Sequence, residues 1–254
     1  MNIVVPVKIV PDLVEELAID SGGTALDTSW LRLIINEFDD HAMEQAILLK
    51  EQAGGQVTVV MLEAEGVDDI LFTAAAKGVD RLIKLQGEAG APANNHALAR
   101  ALAGVVRELQ PDLVLTGVQA NNDLDGPVGP LLAEYLGMPY VGYVAGVKQS
   151  GDGVTVRKEY PGGLAAEMVI KTPGVLGIQA AEKPPRYVAV SKVRQAMQTA
   201  KIDARPCPAL DQDGGLTPSR LYQPQPTEQA TMIEGDVDTV AGKIVELLKN
   251  AGVM

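Results

Sequence analysis

Four times within its first 136 residues the chain passes from a short apolar run to a segment with helical spacing. No other feature constrains the fold as much. The apolar runs are residues 3–10, 56–62, 81–85 and 112–116. The helix-period segments are residues 39–52, 67–77, 95–109 and 126–136. Near-continuous apolar runs mark strands buried on both faces, and helical crossovers between them keep the strands parallel. The expected fold is therefore α/β: an open, mostly parallel, doubly wound sheet with helices on both faces. Ligands in such sheets lie outside the carboxyl ends of the strands, where the strand order switches.

The pattern changes after Pro139. Residues 140–147, 154–160, 165–171 and 174–179 are short β-like runs separated by Gly- and Pro-containing turns, which predicts an added antiparallel meander. Residues 187–197 read as a helix. Residues 201–230 are rich in Pro, Gln, Asp and Gly and read as an extended arm. Residues 237–248 place Val240, Ile244, Leu247 and Leu248 on one side of a final helix. The expected organisation is a nucleotide-binding α/β domain over residues 1–200 and a C-terminal arm plus helix over 201–254. That helix has an apolar side to bury, either on its own domain or on a partner.

Charge and rare residues narrow the function. A net charge of −12 argues against a nucleic-acid surface, which needs clustered Lys and Arg. One cysteine, Cys207, rules out an internal disulfide and a thiolate metal cluster. His41 and His96 lie far apart without zinc-like spacing and are read as helix-surface residues. No metal site and no catalytic side chain is expected. No apolar stretch is long enough to span a membrane, and the first residues read as a strand rather than a signal peptide, so a cytoplasmic protein is expected.

The stretch Thr116-Gly117-Val118-Gln119-Ala120-Asn121-Asn122-Asp123-Leu124-Asp125-Gly126-Pro127-Val128-Gly129-Pro130 carries the most chemistry. A buried strand enters a polar, Gly-rich turn that opens a helix. A helix start offers unpaired N–H groups and a positive dipole end, which suits phosphate. Pro127 fits the first helical position, and Gly126 and Gly129 admit a close approach.

Several blocks, in order and spacing, resemble the β subunit of electron-transfer flavoproteins. They are Val5-Pro6-Val7-Lys8, Asn36-Glu37-Phe38-Asp39-Asp40 with the helix after it, Leu71-Phe72-Thr73-Ala74, Gly78-Val79-Asp80-Arg81, the 117–129 loop, Pro185-Arg186-Tyr187 and Ala230-Thr231-Met232-Ile233-Glu234-Gly235. The resemblance covers most of the chain. It implies a heterodimer with a larger α subunit that carries the redox FAD. It also implies electron relay from a flavin dehydrogenase to a quinone reductase or another acceptor.

For individual residues the resemblance implies a nucleotide site at Gln119, Ala120, Asn121, Asn122, Asp123, Asp125, Gly126, Pro127, Val128 and Gly129, with Pro6, Asn36 and Leu62. Most of the family holds AMP there through Asn, Gln and Thr. Here those positions read Gly126, Pro127 and Val128. Either AMP binds through backbone N–H groups, or the loop accepts the diphosphate of a second FAD, as in electron-bifurcating members with a similar Val-Gly-Pro. Asn36 reads as a helix cap, an adenosine contact or both. Leu13 and Phe38 fall at flavin-facing positions, and Ala181, Glu182, Lys183, Pro184 and Arg186 at the partner-recognition loop. Glu182 replaces an aliphatic anchor, so either the partner supplies a cation, the anchor is shifted, or the partner is a different protein. The competing reading is a stand-alone adenine-nucleotide-binding protein of universal-stress type.

Overall fold

The computed structural model describes residues 1–87, 94–208, 213–225 and 230–253. It contains β1 (Asn2–Pro6), β2 (Ile9–Pro11), β3 (Leu33–Ile35), α1 (Glu37–Ala53), β4 (Gln56–Leu62), α2 (Val67–Lys77), β5 (Arg81–Gln86), α3 (Asn95–Leu109), β6 (Leu113–Gly117) and α4 (Val128–Leu136). These are followed by β7 (Tyr140–Ser150), β8 (Gly153–Tyr160), β9 (Leu164–Lys171), β10 (Gly174–Ile178), α5 (Val190–Thr199), β11 (Ile202–Pro206) and α6 (Val237–Asn250). The chain divides into two compact units, Met1–Arg220 and Leu221–Met254.

The first unit is built on a nine-stranded sheet in the order β11-β5-β4-β1-β6-β10-β7-β8-β9. Strands β11 to β7 run parallel, and β8 and β9 are antiparallel additions. Winding proceeds outward from β1 in both directions, so the strand order switches between β1 and β6. Side chains alternate between two apolar layers, as the pleat requires. Ile3, Val5, Val59, Met61 and Leu115 face α1 and α2, whereas Val4, Val60, Ile83, Val114 and Val175 face α3 and α4. Burying each such side chain contributes roughly 1.5–3 kcal/mol.

The doubly wound sheet agrees with the sequence reading, with three differences in detail. The 3–10 run is two strands, because β1 ends at Pro6, which has no N–H to donate. After the break β2 pairs antiparallel with β3, the short strand that leads into the junction at Asn36. Of the four runs after Pro139, β7, β8 and β9 form the antiparallel ladder. The fourth, β10, returns into the sheet and pairs parallel with both β6 and β7. Its five residues are all buried, as befits an interior parallel strand. Finally, Ile202–Pro206, within the stretch read as an extended arm, forms β11 and pairs in parallel with β5.

In the second unit, α6 is capped by Asp236, whose side chain accepts the Thr239 N–H at 2.8 Å. None of its residues is buried, and Ile244, Val245, Leu247 and Leu248 are exposed. No helix is long and apolar enough to cross a membrane, among the described residues.

Candidate functional site

A cleft opens at the carboxyl ends of β1 and β6, on the switch in strand order. It is lined by Pro6, Val7, Lys8, Asn36, Asp39, Leu98, Leu102, Thr116, Gly117, Gln119, Ala120, Asp123 and Val128, and the open space within it is about 360 Å³.

The first turn of α1 anchors the loop that follows β6. Asn36 stands at the N-cap of α1, but its side chain does not cap the helix. Its amide instead donates to the Gln119 carbonyl at 2.9 Å. Asp39 is buried and accepts from the Gly117 N–H at 2.6 Å and the Lys8 N–H at 2.9 Å. Burial pushes its carboxyl up to about 6 against the lowering effect of those N–H groups. Gly117 is required here, because a Cβ would lie 2.6 Å from Asp39 Oδ1 and 2.8 Å from the Phe38 carbonyl carbon.

The tip of the loop is held from the other side of the sheet. Asn95, buried at the start of α3, donates its amide to Asp123 Oδ1 and to the Gly126 carbonyl, each at 2.7 Å. Its N–H reaches Asp125 Oδ1 at 3.2 Å. Lys8 Nζ bridges Asp123 Oδ1 at 2.8 Å and Asn95 Oδ1 at 3.0 Å. The Ala120 N–H donates to Asp123 Oδ2 at 2.7 Å.

At α4 the N-cap is Pro127, with no side-chain cap. The N–H groups of Val128 and Gly129 therefore belong to the helix end that has no internal partner. Thr116 Oγ1 is buried with no hydrogen-bond partner among the described residues. A Cβ at Gly129 would lie 2.6 Å from that hydroxyl. An orphaned hydroxyl, an uncapped helix start and a glycine between them fit a phosphate-bearing ligand.

Of the remaining sequence candidates, Leu62 ends β4 and is not among the cleft residues. Asn121 and Asn122 are exposed, and Asn121 reaches the Pro11 carbonyl at 3.3 Å. Gly126 is exposed at φ +96°. Leu13 is exposed and Phe38 half-buried in the first turn of α1, and neither lines the cleft. Trp30, which the sequence reading passed over, is 94% exposed.

The recognition-loop candidates lie along the body of the same helix. The Ala181 N–H donates to His41 Nδ1 at 3.2 Å, and the Glu182 N–H to Gln45 Oε1 at 3.0 Å. Gln45 is fully buried and also donates to the Val147 carbonyl at 3.0 Å. Arg186 makes paired bonds to Glu44 near 3.0 Å and reaches Glu51 at 2.7 Å, while its own N–H donates to Glu44 Oε2 at 3.0 Å. These acids hold the Arg186 guanidinium well above its ordinary range. Glu182 lies 3.9 Å from Lys148 Nζ, so its charge turns back toward its own sheet. Lys183 and Pro184 are exposed, and Tyr187 is 88% exposed. His41 is thus a loop ligand rather than an idle surface residue. His96 Nδ1 lies 3.3 Å from the Tyr135 hydroxyl. Burial pushes the Cys207 thiol up, away from the reactive thiolate. Among the described residues no cluster could hold a metal ion.

The electron transfer flavoprotein domain matches residues 25–209. Over 98% of both chains, the sequence is 30% identical to the electron transfer flavoprotein subunit beta of Methylophilus methylotrophus. The chain belongs to the family of electron transfer flavoprotein β subunits. The corresponding subunit of Clostridium acetobutylicum is 35% identical, with 76% of this chain and 74% of that one covered. The acryloyl-CoA reductase electron transfer subunit gamma of Anaerotignum propionicum is 31% identical over 77% and 74%. Within the family match lie Asn36, Asp39, Asn95, the 117–129 loop and the 180–186 loop, whereas Lys8 precedes it. The sequence reading missed Lys8, Asp39, Asn95, Thr116, His41, Glu44 and Gln45 as site residues. The available signals were the lone cation within the 3–10 apolar run at Lys8 and the Asn pair at the start of α3.

Proposed function

We propose that this chain is the β subunit of a two-subunit electron carrier, taking electrons from a flavin dehydrogenase and passing them to a quinone reductase or another acceptor. It works beside an α subunit that carries the redox FAD. Its own cleft holds an adenine nucleotide, with Thr116 Oγ1 and the Val128 and Gly129 N–H groups toward the phosphate and Asn36 and Gln119 framing the opening. The observation that carries this reading is the meeting of the orphaned Thr116 hydroxyl, the uncapped start of α4 and the β1–β6 switch in one cleft. Side chains perform no bond chemistry in this role. They bind, orient and exclude water, and the flavin supplies the redox chemistry when bound.

The 180–186 backbone, fixed on α1, presents Lys183, Pro184 and Tyr187 to a dehydrogenase. With Glu182 turned toward Lys148, the apolar anchor shifts to Tyr187. Leu13 and Phe38 face the flavin of the α subunit. The whole-length relatives are electron transfer subunits, which sets aside the stand-alone universal-stress reading.

Two nucleotides compete for the cleft. AMP is the ligand that most of the resembled family holds at this position. The 126–128 segment, with backbone groups and no hydroxyl or amide side chain, favours the diphosphate of a second FAD and with it electron bifurcation. Co-production with the α subunit, denaturation and chromatography of the released nucleotides tests both. One FAD plus one AMP per heterodimer supports the carrier reading, and two FAD support bifurcation. A single FAD with no further nucleotide would overturn the assignment of the cleft.

A further inference from the structure

The acidic residues of the 117–129 loop are the part of the site that a nucleotide does not explain, because carboxylates repel phosphate. Among the described residues lining the cleft, Lys8 is the one cation, against the two acids Asp39 and Asp123. Asp39 has a structural task, tying α1 to β6 through the Gly117 N–H and to the segment after β1 through the Lys8 N–H. Asp123 is different. Its Oδ1 takes Lys8 Nζ at 2.8 Å and Asn95 Nδ2 at 2.7 Å, and its Oδ2 takes the Ala120 N–H at 2.7 Å. An ammonium, an amide and a loop N–H converging on one anion form a donor set that a phosphate monoester would also use.

We infer that Asp123 is a resident anion that holds a second set of donors, Lys8 Nζ, the Asn95 amide and the Ala120 N–H, and yields them to the phosphate when a nucleotide enters. It thereby sets how much a phosphate adds to the binding of the nucleoside. The inference rests on the reading of the cleft as a nucleotide site.

The placement of the groups supports exchange. Lys8 lies between β1 and β2 and Asn95 opens α3, so these donors stand on or beside fixed elements. Asp123 stands in a turn whose neighbours Asn122 and Leu124 are exposed. Three residues on, Gly126 has φ +96° and nothing within 4 Å of a Cβ position, which leaves the turn room to re-form. The loop is also incompletely satisfied as it stands. Asp125 Oδ2 is buried and has no hydrogen-bond partner among the described residues. A carboxylate oxygen buried without a donor raises the free energy of this arrangement, so less is lost when the turn moves.

The test uses the full chain co-produced with its α subunit and freed of nucleotide in the cleft by high-salt gel filtration. AMP and adenosine are titrated calorimetrically into the wild type, Asp123→Asn and Lys8→Met. Removing the charge of Asp123 while keeping its shape leaves Lys8 to the phosphate. Asp123→Asn is expected to bind AMP about tenfold more tightly and adenosine within about twofold of wild type. Lys8→Met is expected to bind AMP about tenfold more weakly, again with adenosine little changed. If Asp123→Asn does not fold, Asp123→Ser carries the same expectation. An uncharged variant that binds AMP no more tightly than wild type, or that weakens AMP and adenosine alike, overturns the resident-anion role and leaves the nucleotide site standing. A wild type that binds neither ligand at millimolar concentration overturns the site itself, and the inference with it.

Discussion

The loops that follow β6 and β10 leave neighbouring strands and end against the same helix, yet they are held in opposite ways. The β6 loop is tied at its base by Asn36 and Asp39 from the first turn of α1, and at its tip by Lys8 and Asn95. Its tip contacts involve a charged group that a phosphate can claim. The β10 loop is tied along the body of α1 by His41, Glu44 and Gln45, mostly through its own backbone N–H groups. Those contacts are complete within the chain. On the proposed reading, the first loop exchanges partners and the second holds a fixed shape for a docking protein. One helix therefore anchors both, and the first loop differs in having its tip held by side chains from outside that helix.

The sharpest way to break this contrast is to loosen the rigid loop. Glu44 is 3% exposed and receives both the guanidinium and the N–H of Arg186. Glu44→Ala leaves a half-buried arginine without its main partner and is expected to destabilise the fold by about 2–3 kcal/mol, read from the urea midpoint. It is also expected to open residues 180–188 to proteolysis before the rest of the chain. A loss below about 0.5 kcal/mol would show that the loop is held elsewhere.

The base of the exchanging loop comes next. Gly117→Ala places a Cβ against the Asp39 and Phe38 backbone and is expected to cost about 2 kcal/mol. Unlike the change at Glu44, it should weaken AMP binding and leave the proteolysis of 180–188 unchanged. Asn36→Ala removes one bond to the Gln119 carbonyl and is expected to cost about 1 kcal/mol, with weaker AMP binding as its second readout.

The contrast is sharpened further by pH dependence. The carboxyl of Asp39 titrates at about 6 in the fold, against 3.8 unperturbed. The folded chain thus holds this proton more tightly than the unfolded chain. Its contribution to stability is complete below about pH 4 and is lost as pH rises through about 6. Carboxyl ¹³C chemical shifts of the heterodimer should show one buried aspartate titrating near pH 6. A midpoint near 4 would mean that the two N–H groups outweigh burial.

Much of the sheet was legible because its signals are local. β4, α2 and α3 fall where apolar runs and helical spacing place them. The direction of β10 is set by pairing with β6, about sixty residues earlier in the chain, and turns alone do not encode it. The apolar run of Val175, Leu176 and Ile178, without polar alternation, was the readable clue. Of the loop residues named from sequence, Gln119, Ala120, Asp123 and Val128 line the cleft. The residues that hold them were not legible, because Lys8 meets Asn95 across 87 residues and Asp123 across 115. Neither pairing has a local pattern. His41 was passed over for the same reason, since its partner lies 140 residues away.

Hydrogen exchange on the heterodimer, with and without saturating AMP, tests the contrast between the two loops most directly. The account predicts that AMP changes amide exchange across residues 117–129, where Ala120, Val128 and Gly129 donate, and leaves residues 180–186 as they were. A change confined to 180–186, or the same change in both loops, would contradict it.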